Sequence, residues 1–514
     1  MLPRVTRRAA PLIAIALLAG CPDRPAPPPP VAPPPGPAEL AALGSRVAEA
    51  CGRCHLVPAP DSLTRARFAE VIPTMQGVPL PPGVAPLTDA EVEAARRWYE
   101  ASAPLELPLP PAPPDETRLR FEVEPFTPPG LEKQSIPAVA HLRFLALSDP
   151  RRLDLLACEM RTSILFLLPA WVEGRQRALR PLARDLGYPA RSEPVDLDRD
   201  GRLDLLIAGL GEMNPSNDEK GAALVLLQQP DRRFRAVRAA ERLGRVSDVR
   251  AADLDGDGDL DLVACAFGWQ APGKLLLLER RGADADGAPR FAEHVLDERD
   301  GFIHVEPWDL DGDGRLDLVA LLAQEHEQVV AFLNRGGLRF EARPLWRAPH
   351  PAWGSSGMER VDLDGDGDDD LLLSNGDALD DGLLKPYHGI AWLERTGPLR
   401  FEWRRIAIMP GCERALAGDL DGDGDLDVVA VAFLPQLEPA RWRGLASVAW
   451  AERTPEGWTL RALERERCYH PSLAVGDYDA DGDLDVAAGS WVWLERDGTP
   501  RYTAEHVTLF TQVR

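Results

Sequence analysis

A nine-residue pattern, Asp-x-Asp-x-Asp-Gly-x-x-Asp, occurs six times in this 514-residue chain, and nothing else in the sequence limits the fold so strongly. The copies are Asp196, Asp198, Asp200 and Asp204; Asp253, Asp255, Asp257 and Asp261; Asp309, Asp311, Asp313 and Asp317; Asp362, Asp364, Asp366 and Asp370; Asp419, Asp421, Asp423 and Asp427; and Asp477, Asp479, Asp481 and Asp485. Their first aspartates lie 57, 56, 53, 57 and 58 residues apart. Upstream, Leu153-Asp154-Leu155-Leu156-Ala157 matches Leu203-Asp204-Leu205-Leu206-Ile207. This seventh copy keeps the last aspartate but has Ser148 and Pro150 where the others have carboxylates. An apolar run follows each loop. Next comes a strand ending in Leu278-Glu279-Arg280, Leu393-Glu394-Arg395, Ala451-Glu452-Arg453 or Leu494-Glu495-Arg496. An aromatic-led strand such as residues 291–296 or 502–509 closes the unit. Four short strands in about 56 residues, repeated in tandem, predict a mainly β fold, a seven-bladed propeller over residues 131–514.

The loop chemistry follows from the residues. Carboxylates at positions 1, 3, 5 and 9, with glycine turning the chain at position 6, surround one hard cation, and the carbonyl at position 7 can add an oxygen. Oxygen-only donors favour Ca²⁺ over transition metals, which take His or Cys. The alternative is a bare polar turn, but four carboxylates in one loop repel each other without a cation. Lys+Arg 58 against Asp+Glu 82 gives −24, and up to six Ca²⁺ would offset half of it. Such an excess argues against nucleic acid as a partner. These repeats resemble the FG-GAP/VCBS family, whose best-known fold is the seven-bladed propeller of integrin α chains, across about residues 131–510. The resemblance implies that the aspartate loops join first to second strands on one face, with irregular loops gathered on the other.

A second motif precedes the propeller. Cys51-Gly52-Arg53-Cys54-His55 places two thiols to add across the vinyl groups of one haem and the next residue to bind its iron. A redox pair would want a βαβ context and a zinc site a second ligand pair, and neither is nearby. Residues 38–50 can form a helix, and Thr88 with Glu91 makes a capping box for another. Residues 38–101 therefore resemble a small all-α class I cytochrome c, in which Met75 is the expected distal ligand. A Met/His pair raises the potential and leaves no open iron position.

The first residues read as an address. Arg4, Arg7 and Arg8 precede an apolar run over 9–20, too short to span a bilayer but suited to a signal peptide. Leu18-Ala19-Gly20-Cys21 resembles a bacterial lipobox, which implies lipidation of Cys21 and a place in the cell envelope, facing periplasm or surface. The membrane is then met through the anchor only. Ten prolines in residues 22–37 predict an extended tether over 21–37, roughly 50 Å long. Pro104 to Pro114 reads as a hinge within 102–130, which also has room for an extra edge strand.

No catalytic constellation stands out. Glu212, Asn214, Trp269, Glu325, His326, Tyr387, His388, Arg441 and Trp442 fall in the irregular loops, and Asp248, His304, Glu306, Glu359, Arg414 and His470 lead into first strands. Each is a recognition candidate, with a satisfied channel-lining role as the plainer reading for any one of them. Three functions compete: an electron-transfer protein with a redox partner, a binding or adhesion module for a protein, glycan or small molecule with an accessory haem, and a propeller oxidoreductase feeding the haem. Cys158 and Cys265 are expected as buried thiols. Cys412 and Cys468 could be bridged or free.

Overall fold

The computed structural model describes residues 35–513, apart from 78–79, 81–82, 110, 115–116, 132–135, 172–173, 175 and 270–271; Cys21, the leader and most of the tether lie outside the described residues. The apolar runs after the aspartate loops become the second strands of seven four-stranded antiparallel sheets. Asp204–Gly209, Asp261–Ala266, Asp317–Leu322, Asp370–Asn375 and Asp427–Ala432 are buried at every residue. Each is covered on both faces by neighbouring blades, which is why it reads as an unbroken apolar run and not as an alternation.

Blades one to six take their strands in sequence order. They run from Val139–Asp149 to Arg180–Ala183, Pro189–Val195 to Phe234–Leu243, Val246–Ala252 to Pro289–Asp297, Phe302–Trp308 to Phe340–Arg347, Ser355–Val361 to Arg400–Ile408, and Cys412–Gly418 to Gly457–Arg465. Their first strands, with Ser472–Gly476 of blade seven between the last and the first, touch in a closed ring around the axis. Strand prolines fall on edge strands, outer for Pro181, Pro289 and Pro344 and inner for Pro189, Pro194 and Pro307, where a missing N–H need break no ladder. That placement lets a Pro-rich chain build sheets.

Blade seven differs. Ser472–Gly476, Asp485–Gly489 and Val507–Val513 are completed on the outside by Arg120–Phe126, with Arg120 opposite Val513 and Phe126 opposite Val507. Because the outer place is filled from the N-terminal side, the C-terminal segment moves inward to third place. Two sequence expectations are corrected by this. Leu494-Glu495-Arg496 is not a strand but a loop with one isolated bridge, Leu494 to Pro500, and the closing strand starts at 507 instead of 502.

Ahead of the propeller lie α1 (Pro37–Cys51), α2 (Arg65–Val71), a 3-10 turn (Ile72–Gln76) and α3 (Asp89–Ser102). Thr88 and Glu91 form the expected capping box on α3, with the Glu91 carboxylate accepting the Thr88 N–H at 2.7 Å. Val47, Leu63, Phe68, Ile72 and Tyr99 make a small core. Ala352 and Leu383 of blade five pack against it, Tyr387 donates to the Ser62 carbonyl at 2.9 Å, and Arg67 donates to the Asp380 carbonyl at 3.0 Å. The helical unit is thus seated on the face opposite the aspartate loops. The following proline stretch, read as a hinge, lies along blade six: the Pro114 carbonyl accepts Ala462 N–H at 3.2 Å, and Arg118 pairs with Glu452 at 2.6 Å. No helix among the described residues is long and apolar enough to cross a membrane.

Candidate functional site

Each aspartate loop is shaped by its own first residue. The Asp196 carboxylate accepts the N–H of Asp200 and of Gly201, both at 3.0 Å, and Asp362, Asp419 and Asp477 repeat the pattern. Carboxylate oxygens from positions 1, 3 and 9 come within 4.8 Å of one another in the loops starting at Asp196, Asp253, Asp309 and Asp362. The fifth-position carboxylates accept an amide two residues on instead, as Asp257 does from Asp259 at 2.9 Å and Asp366 from Asp368 at 2.8 Å. Arg202 and Arg315 also pair with Asp200 and Asp313. Three converging hard oxygens with a fourth carboxylate beside them suit Ca²⁺.

The ninth position does a second job. Asp204 accepts the N–H of Leu197 at 3.1 Å with one oxygen and of Gln228 at 2.8 Å with the other, tying the loop to the third strand. Asp261, Asp317, Asp370, Asp427 and Asp485 do the same. Asp154, in the eroded copy, also does it, accepting from Ser148 at 2.6 Å and Ala170 at 2.8 Å. This is why the eroded loop keeps that one aspartate. Burial lifts Asp261, Asp370, Asp427 and Asp485 to about 6. The arginines of the Leu-Glu-Arg segments are clasps between blades: Arg280, Arg395 and Arg453 donate to the carbonyls of Leu197, Leu310 and Leu363 at 2.6–2.9 Å. In blade seven Asp485 binds Gln512, which marks the residue standing where Arg496 was expected.

The axis is plugged by charge. Six first strands shift register near their start, so that His141, Arg191, Asp248, His304, Gly357 and Arg414 follow a bulge and turn toward the channel. Arg191 pairs with Asp248 at 3.1 Å, His304 with Asp248 at 3.3 Å, and Arg414 reaches His304 Nε2 at 3.3 Å past the side-chain-free Gly357. Two residues further along, Arg143, Glu193, Arg250 and Glu306 pair from blade to blade at 2.6, 3.1 and 2.7 Å. Burial works to raise Asp248, but Arg191, Arg250 and His304 hold it well below the usual carboxylate range. Burial drives His304 down to about 3 and lifts Glu359 to about 7. These residues spend their charges on one another across the channel.

Other recognition candidates are also interior. His470 is fully buried and bonded to the Gly489 carbonyl and Glu464; Trp442 is buried and donates to the Leu434 carbonyl. Tyr387 and His388 lie beneath the helical unit with three residues the sequence did not flag. Trp353 stacks on Tyr387 with centroids 5.5 Å apart, His350 meets the Tyr387 ring edge, and buried Lys385 pairs with Asp381 at 3.0 Å. Spread over two loops without a motif, these carry no sequence signal. Trp269, Arg441 and Glu325 are exposed. Cys158, Cys265, Cys412 and Cys468 are all buried and free.

In the helical unit Cys51 ends α1, half-buried, with burial pushing its thiol up; Cys54 is exposed. His55 Nδ1 lies 2.7 Å from the Leu56 carbonyl, so as N–H donor it leaves Nε2 free. An outer hydrogen bond of this kind fixes the tautomer of a metal-binding histidine, and two free thiols beside it fit haem attachment. Met75 is half-buried in the 3-10 turn.

A protein-family model described as FG-GAP-like repeat matches residues 196–264 and 309–373. Over these two spans the chain is similar to FG-GAP-like repeats. Both matched spans start at the first aspartate of a loop and end in the second strand of the next blade, so the FG-GAP-like unit crosses a blade boundary. Comparison with curated proteins finds no match.

Proposed function

We propose that this chain is an exported, lipid-anchored mono-haem c-type cytochrome whose calcium-stabilised propeller binds a partner, with electron transfer as the purpose. The observation that carries it is the Cys51-x-x-Cys54-His55 motif at the end of α1, with His55 Nδ1 hydrogen-bonded so that Nε2 is free. Cys51 and Cys54 would hold the porphyrin, with His55 and Met75 as axial ligands. A covalent haem so ligated supplies one-electron chemistry with no open iron position. Seating on blade five puts this unit on the face away from the aspartate loops, where a docking redox protein would meet it. The six loops, Asp196 to Asp204 through Asp477 to Asp485, would hold Ca²⁺ and stiffen the ring. Cys21 would carry the lipid, leaving the molecule in the bacterial envelope. The FG-GAP-like repeats also favour a second reading, a binding or adhesion module with an accessory haem.

Expression with a c-type maturation system tests this. Haem should resist acid–acetone extraction in the wild type and be released from Cys54→Ser. Met75→Ala should lose the methionine-to-iron charge-transfer band of the oxidised protein. Wild-type protein without extraction-resistant haem ends the redox reading; haem that no redox protein reduces leaves the adhesion reading.

A further inference from the structure

On the face opposite the aspartate loops, three side chains of blade four converge. Asp300 lies just before Phe302–Trp308, and Glu325 and His326 lie in the turn between Asp317–Leu322 and Gln328–Asn334. One carboxylate oxygen from each acid and a ring nitrogen of His326 lie within 4.8 Å of one another. His326 Nε2 is 3.4 Å from Asp300 Oδ1 and 3.8 Å from Glu325 Oε1. Both distances are long for hydrogen bonds. They approach the separation of roughly 3–3.6 Å between ligands that share one ion at about 2.1 Å.

The charge around the cluster points the same way. Arg299, the nearest arginine in sequence, spends its guanidinium on Asp297 at 2.8 Å. Among the described residues no lysine or arginine comes within ion-pair distance of Asp300 or Glu325. Two carboxylates therefore face one imidazole without a cation to balance them. The backbone holds them there. Ala323 N–H donates to the Gly301 carbonyl at 2.8 Å, and a side chain on Gly301, whose φ is 84°, would sit 2.7 Å from the Ala323 carbonyl. Only glycine lets the Asp300 segment approach the His326 turn so closely. At the far end of the turn, the Glu327 carboxylate accepts Gly354 and Ser355 N–H at 3.0 Å each, pinning it to blade five.

The geometry points to a transition-metal site here, formed by Asp300, Glu325 and His326, that takes a borderline divalent cation of the Zn²⁺ class and leaves positions open to solvent. The nitrogen donor separates it from the aspartate loops, which offer oxygen alone. It rests on neither the haem nor the calcium reading. Asp300 and His326 are sheltered, at 11% and 22% side-chain exposure, whereas Glu325 at 44% faces outward.

The test is Zn²⁺ titration by calorimetry on the full chain held in excess Ca²⁺, with Co²⁺ absorption of protein made without haem as a second readout. One Zn²⁺ equivalent is expected that His326→Ala weakens at least about tenfold, the lower end of what loss of even an outer metal-site partner costs. Glu325→Gln, an isosteric change at an exposed residue, should weaken it too, and His294→Ala should not. A wild type that binds no stoichiometric Zn²⁺ overturns the proposal, as does a site that His326→Ala and Glu325→Gln leave unchanged. Co²⁺ bands lost in both variants, at an unchanged metal-free melting temperature, support it.

Discussion

Asp154 and Asp370 perform the same structural task although only Asp370 sits in an intact loop: each spends both oxygens on two backbone N–H groups. Replacing either by alanine orphans those amides and should cost about 3–6 kcal/mol in urea unfolding, at about 1.5–3 kcal/mol for each hydrogen bond to a charged group. The Asp154→Ala loss should be the same with and without chelator. Asp364→Ala, at the third position, should change stability by less than about 0.5 kcal/mol in chelator but remove much of what calcium adds. If Asp154→Ala proves harmless, the ninth aspartate is a ligand only. In the channel, Gly357→Val meets the Ser374 hydroxyl and the Arg414 side chain; overpacking of this kind costs about 1–3 kcal/mol, readable in the same unfolding curves.

At the scale of the loop, calcium and protons compete. Burial places Asp261, Asp370, Asp427 and Asp485 at about 6, above their ordinary value. Between roughly pH 4 and 6 the calcium-free fold therefore binds more protons than the unfolded chain, and through these groups its stability falls as pH rises. Calcium needs the ionised form. The gain in melting temperature from calcium should be full above about pH 7 and small at about pH 4.5; equal gains at both would contradict the assignment. The loops were legible in sequence because a turn that gathers carboxylates is built by residues next to each other. The Leu-Glu-Arg recurrence was visible too, but its reason, a clasp onto the preceding blade, lies far away in sequence. Residues 491–496 repeat the local strand pattern, yet pairing of Arg120–Phe126 with Val507–Val513 decides against them. Of the channel ring, Asp248, His304, Glu306 and Arg414 were visible as candidates with channel lining as their plainer role, but His141 and Arg191 escaped, because a bulge redirects them and no local residue choice announces it.

In the whole molecule the helical unit and the ring are joined through a few contacts at blade five. Tyr387→Ala removes the hydrogen bond to Ser62 and a ring packed on Trp353. Hydrogen exchange should then quicken in α2 and around residues 380–387, and stay unchanged in the aspartate loops; uniform quickening would mean that Tyr387 supports the ring itself. Deleting residues 120–126 should lower the melting temperature of the entire propeller, because Val507–Val513 becomes a bare edge. The same pairing has a consequence for how the molecule is made. Residues 120 and 513 must meet before the last sheet is complete, a contact spanning nearly the whole propeller, so closure is intrinsically slow and waits until residue 513 has been made. Until then six blades stand as an open arc with an uncovered apolar sheet face at each end, the form most prone to join another chain. A seven-residue strand, Val507–Val513, thus separates a closed ring from an aggregation-prone arc.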